Sequence, residues 1–134
     1  MIFSRSTQYA LQALVGIAEQ ENEEYVTVEG LCDQLDIPQE FLAKLFQRLA
    51  RHGFLESRKG PGGGFKLARE PGSINIYEIL ELFEGPDPLS TCIFDGRVCK
   101  TKEDHCPLHD EWSEIREEII DFTRRNNISA LAEN

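Results

Sequence analysis

Three of the four cysteines, Cys92, Cys99 and Cys106, fall in one stretch, CIFDGRVCKTKEDHCPLH, which ends on His109, and six residues separate each cysteine from the next. Thiolate and imidazole are ligands for soft and borderline metals, whereas a disulfide framework takes an even number of cysteines. Three of them crowded beside a histidine, in a chain with no obvious secretion signal, therefore point to a metal ion or cluster. Arg97, Lys100 and Lys102 in the same stretch favour the thiolate form, partly offset by Asp95, Glu103 and Asp104. His105, beside Cys106, could substitute for His109 but ranks second to it and reads first as a solvated loop histidine, and Cys32, among apolar neighbours, as a small buried hydrophobe. Glycine and polar residues leave the stretch little apolar surface, so binding of a metal group is expected to order it.

The elements that must position this stretch come from a chain of 134 residues, enough for one domain or one small domain plus an appended element. Arg5 precedes an apolar run in the manner of a leader, but Gln8 and Gln12 interrupt it and no small-residue cleavage site follows. No run approaches the roughly 20 apolar residues that cross a bilayer, so a cytoplasmic protein without a membrane partner is expected. Net charge is −10, which taken globally disfavours a polyanion. The window Lys44 to Arg69 is different: Lys44, Arg48, Arg51, Arg58, Lys59, Lys66 and Arg69 face only Glu56, giving +6 there and −16 elsewhere. Such asymmetry confines a polyanion to one face and one orientation.

Ser4 or Ser6 caps a first helix to about Glu21, with Leu11, Leu14, Val15 and Ala18 at helical spacing. Glu21 to Glu24 forms an acidic turn, and Thr27 caps a short helix through Leu35 carrying Val28 and Leu31. Asp36-Ile37-Pro38 turns the chain into a helix closed by Gly53, with Phe41, Leu42, Leu45, Phe46 and Leu49 inward. Its other face carries Glu40, Lys44, Gln47, Arg48 and Arg51. Phe54 to Lys59 and Phe65 to Ala68 read as strands around Gly60-Pro61-Gly62-Gly63-Gly64, a hairpin with Arg58 and Lys59 at its base and Lys66 and Arg69 on the return. A helix-turn-helix followed by a basic hairpin is a winged helix. Base contacts are expected from Gln39, Glu40, Lys44, Gln47 or Arg48, and phosphate or minor-groove contacts from Arg51, Arg58 and Lys59.

Asn75 and Glu78 form a capping box for a helix closed by Gly85. Beyond the cysteines, Pro107 can start a long helix in which Leu108, Trp112, Ile115, Ile119 and Phe122 recur by four and three, the seam of a helix that packs on a second copy. Asn126 to Asn134 reads as a short or frayed turn. The expected fold is mainly α with a small β-hairpin: a winged helix-turn-helix DNA-binding domain over 1–85, a cysteine-rich cluster-binding loop over 86–106, and a dimerisation helix and tail over 107–134.

In this order the pieces resemble the Rrf-two family of bacterial transcription regulators over nearly the whole chain. The residues that carry the resemblance are Tyr9-Ala10-Leu11, Phe41-Leu42 with Leu45-Phe46, Lys59-Gly60-Pro61-Gly62-Gly63-Gly64-Phe65, and the three spaced cysteines. It implies a homodimeric regulator, not an enzyme, whose promoter binding responds to an iron–sulfur cluster and which senses cluster status, oxidants or nitric oxide. By position it implies Cys92, Cys99, Cys106 and His109 as ligands. The gaps are slightly longer than the usual family pattern. Where other members place a first-helix carboxylate on a [4Fe-4S] cluster, this chain has Gln8, a poorer iron ligand, which favours [2Fe-2S] with His109. Two other readings remain: a winged-helix regulator switched by zinc or bare thiols, and an acidic iron–sulfur electron carrier. Zinc sites usually pair cysteines two to four apart, and an electron carrier leaves the basic window without purpose.

Overall fold

The computed structural model describes residues 3–20, 25–90 and 107–132. Helix α1 spans Arg5–Ala18, and its Ser4 cap accepts the Thr7 N–H at 3.2 Å on Oγ. It stops short of Glu21. A helix C-terminus disfavours negative charge, and α1 has no basic residue in its last turn while Glu19 caps it. Its buried face is Ala10, Ala13, Leu14, Gly16 and Ile17, set slightly around from the expected stripe, with Leu11, Val15 and Ala18 half-buried at its margin.

Helix α2, Val28–Leu35, is capped by Thr27, whose Oγ1 accepts the Gly30 N–H at 3.1 Å. It ends on Asp36 in the left-handed region (φ 56°, ψ 45°), a conformation an aspartate tolerates. Helix α3, Gln39–Arg51, begins after Pro38, with Glu40 in its first turn and Arg48 and Arg51 in its last, both matched to the helix dipole. Leu42, Leu45, Phe46 and Leu49 are its buried face.

Strands β1, Leu55–Arg58, and β2, Gly64–Leu67, pair antiparallel with Leu55 opposite Leu67 and Arg58 opposite Gly64. Val26 adds a third, one-residue strand, exchanging two hydrogen bonds with Phe65 at 2.6 and 2.8 Å. Phe65 packs edge-on against Phe46 at 4.9 Å, which fixes the hairpin to α3. A 3-10 turn, Pro71–Ser73, leads into α4, Ile76–Glu84, where the capping box is complete: Asn75 Oδ1 accepts the Glu78 N–H and Glu78 accepts the Asn75 N–H.

Helix α5 runs from His109 to Arg125, starting two residues later than Pro107. The tail is not a frayed turn. Ile128–Ala132 form α6, which packs against α1. Ile76 N–H donates to Asn126, Ile128 N–H donates to Ile74, and the Ile128 side chain is fully buried. The local sequence carries part of the signal, an Asn127 cap whose Oδ1 accepts the Ala130 N–H at 2.9 Å ahead of the apolar Ile128, Ala130, Leu131 and Ala132; the bridge to Ile74–Ile76, far away in the chain, anchors the helix. Around Leu14, Leu31, Leu42, Phe46, Leu49, Ile74, Ile79 and Ile128 lies one core, in which each fully buried large apolar side chain contributes about 2 kcal/mol. Cys32 is buried in it, its Sγ–H directed at the Glu29 carbonyl at 3.2 Å.

Candidate nucleic-acid interface and cysteine segment

The amphipathic pattern of α3 buries one side and leaves Gln39, Glu40, Lys44, Gln47, Arg48 and Arg51 on the other, all exposed. Arg58 and Lys59 are exposed at the end of β1. The turn beyond them requires glycine: a Cβ on Gly63 would run into the Arg58 carbonyl, and Gly64, at φ +139°, lies against the Val26 carbonyl. A helix with a polar face beside a glycine-tipped basic hairpin is an arrangement that enters a groove with the helix and follows the backbone with the hairpin.

Not every cation of the basic window serves that surface. Arg69 forms a bidentate pair with Glu78 at 2.9 and 3.1 Å, donates to the Ser73 carbonyl and lies over Phe54, so it braces the return strand against α4. Arg48 donates to the Leu82 carbonyl at 2.8 Å and stacks 4.8 Å from the Phe83 centroid, which ties α3 to the end of α4. Gln39 reaches Glu29 at 3.4 Å. Lys44, Gln47, Arg51, Arg58 and Lys59 remain on the outer surface.

Two residues were not singled out from the sequence. Tyr25 lies beneath the cations of Arg58 and Lys66; its signal was the Tyr-Val-Thr alternation, which has strand character. Glu84 accepts the Thr7 hydroxyl at 2.6 Å and the Ser4 N–H at 2.7 Å, joining the end of α4 to the start of α1. Burial alone would raise its pKa, but hydrogen bonds from Thr7 and Ser4 outweigh burial and hold it below the ordinary glutamate value.

Leu108, the cap of α5, and Ile115 and Phe122 along it are exposed (44, 45 and 50%), one heptad apart, while Trp112 and Ile119 are half-buried between them. The helix's other side meets α4, where Thr123 is buried and Arg124 lies 4.4 Å from the Tyr77 centroid. Trp112 Nε1 is buried without a hydrogen-bond partner among the described residues.

His109 is the first residue of α5. Cys92, Cys99 and Cys106 lie outside the described residues, as do residues 21–24, where an acidic turn is expected from the sequence. Among the described residues no three His, Cys, Asp or Glu side chains are grouped to hold a metal. The donor set of the segment fits iron on chemical grounds: three thiols and an imidazole are iron–sulfur ligands. Among the described residues, no helix is long and apolar enough to cross a membrane.

Residues 3–134 match the family described as "Iron-dependent Transcriptional regulator", Rrf2. A relative from Aquifex aeolicus, described as an HTH-type transcriptional regulator, is 38% identical over 132 residues, covering 98% of this chain and 91% of the relative. The HTH-type transcriptional regulator IscR of Xenorhabdus nematophila is 28% identical over 127 residues, covering 95% and 76%. In fold, the chain is similar to CymR, the global cysteine regulator of B. subtilis, with a TM-score of 0.82 at 23% identity over 98% of this chain and 95% of the other. It is likewise similar to T. potens IscR, with a TM-score of 0.77 at 22% identity over 97% and 85%.

Proposed function

Because the chain belongs to the Rrf2 family of transcription regulators, we propose that it binds promoter DNA as a homodimer and that an iron–sulfur cluster held by Cys92, Cys99, Cys106 and His109 controls that binding. It is a regulator, not an enzyme. The observation that carries the cluster reading is the set of three cysteines and a histidine in a chain matched along its length by an iron-dependent family. Gln8 in place of a carboxylate on α1 supports [2Fe-2S] over [4Fe-4S].

When bound, such a cluster supplies a redox-active, oxidant-labile centre. The chain's own residues do the rest. Lys44, Gln47 and Glu40 present base-reading groups from α3, while Arg51, Arg58 and Lys59 neutralise phosphates. Leu108, Ile115 and Phe122, with Trp112 and Ile119, offer the seam for a second copy. A dimer sets two copies of α3 about 34–36 Å apart for successive major-groove turns. His109 opens the seam helix, so a ligand at that residue is placed to influence the spacing of the two reading helices.

Anaerobic purification followed by iron and acid-labile sulfide analysis tests the reading. Matching iron and sulfide in wild type, with a changed visible spectrum in His109→Ala, is the expected result. A colourless protein carrying zinc but no sulfide contradicts the cluster and leaves the zinc or thiol switch. Failure to retain any DNA in either cluster state would instead promote the electron carrier.

A further inference from the structure

Tyr25 stands on the outer face of the three-stranded wing. Val26 pairs with Phe65, so the antiparallel register sets Tyr25 opposite Lys66 and Thr27 opposite Gly64. Arg58 pairs with Gly64, and Glu56 with Lys66, so Tyr25, Lys66, Glu56 and Arg58 share one face of the sheet. Gly64 contributes no side chain there, which leaves the diagonal path from Tyr25 to Arg58 open. The Lys66 ammonium lies 5.0 Å, and the Arg58 guanidinium 5.8 Å, from the centre of the Tyr25 ring. Glu56 adds an ion pair to Lys66 at 3.7 Å.

We propose that Tyr25 is a positioning residue for DNA binding, its ring holding Arg58 and Lys66 on the phosphate-facing side of the wing before DNA arrives; the inference rests on the DNA-binding reading above. A ring face attracts a cation through its quadrupole and occupies none of the cation's N–H donors. Arg58 keeps its in-plane donors for phosphate oxygens, and Lys66, shared with the Glu56 carboxylate at 3.7 Å, has three ammonium hydrogens and so further donors for them. Long, rotamer-rich side chains lose entropy when a ligand immobilises them, and holding them beforehand removes part of that loss, roughly two- to tenfold in affinity for each.

The test measures the affinity of the full chain for a labelled mixed-sequence DNA duplex at low salt. Variants are Tyr25→Phe and Tyr25→Leu, each alone and with Arg58→Ala and Lys66→Ala, and thermal melting confirms folding. Wild-type retention, measured with and without iron and sulfide loading, is the control for the DNA-binding reading itself: no binding by wild type in either state refutes that reading, and the inference falls with it. Given wild-type binding, Tyr25→Phe is expected to match it. Tyr25→Leu is expected to bind roughly tenfold more weakly, and its effect to vanish once Arg58 and Lys66 are alanine. Tyr25→Met replaces the leucine variant should that one melt early. Equal binding by the phenylalanine and leucine variants, or a leucine effect that persists without the two cations, overturns the assignment.

Discussion

Arg48 donates from Nη2 to the Leu82 carbonyl oxygen at 2.8 Å, while its guanidinium lies 4.8 Å from the Phe83 ring centre. Leu82 belongs to the last turn of α4, whose carbonyls have no partner within the helix. A residue on α3 thus caps the helix that leads into the cysteine segment. Arg48→Ala is expected to cost about 1 kcal/mol in urea unfolding. Arg48→Lys recovers little of it, because an ammonium lacks the planar stacking surface. Lys44→Ala, one turn earlier and exposed, is expected to change stability by less than about 0.5 kcal/mol. Equal effects for the two alanine variants would contradict the bracing role.

Glu84 predicts a pH signature. Its folded pKa lies below the ordinary value because the Thr7 and Ser4 hydrogen bonds outweigh the opposing effect of burial. A carboxyl with a depressed folded pKa contributes stability that is present above its unfolded pKa and is lost as pH falls through the folded one. Melting temperature followed from neutral pH into the acid range is expected to fall less steeply in Glu84→Gln than in wild type. Superimposable acid limbs would show that the contact to α1 carries no linkage.

Gly64 combines a positive φ of +139° with close approach to the Val26 carbonyl. Any side chain there is strained in backbone and pushes away the third strand of the wing. Gly64→Ala is expected to cost about 1–3 kcal/mol and to weaken DNA binding through the displaced hairpin. Gly72→Ala, where the nearest atom to an added Cβ is the Ser129 side chain at 4.0 Å, serves as the tolerant control.

The seam on α5 predicts assembly. Ile115 and Phe122 are 45 and 50% exposed within one chain, so Phe122→Glu buries no charge in the protomer. It does bury charge in a dimer. Sedimentation is expected to show wild type as a dimer and Phe122→Glu as a folded monomer. An unchanged dimer would move the interface elsewhere.

Much of the architecture was legible from local chemistry. Ser4, Thr27 and Asn75 are caps whose side-chain oxygens do what their position in the chain suggests, and the hairpin follows from its glycines. What escaped sequence reading depends on distant partners. A one-residue strand at Val26 exists only because Phe65 is beside it, and α6, locally capped by Asn127, is held in the core by the bonds of Asn126 and Ile128 to Ile76 and Ile74. Arg48 and Arg69 carry the same charge as Arg51 and Arg58, yet Leu82, Phe83 and Glu78 take them for bracing. Charge counting along the chain has no means of separating the two roles. The three cysteines proposed as ligands are read from residue type and spacing alone, since they lie outside the described residues.

Control of the wing and α3 by the cysteine segment is tested by anaerobic capture of fragmented genomic DNA by iron- and sulfide-loaded wild type beside a Cys92→Ala, Cys99→Ala, Cys106→Ala variant. Both proteins are expected to fold and to retain different sets of fragments or to differ at least tenfold in affinity for shared ones, on the order of 1.4 kcal/mol of coupling. Identical fragments held with identical affinity would contradict it.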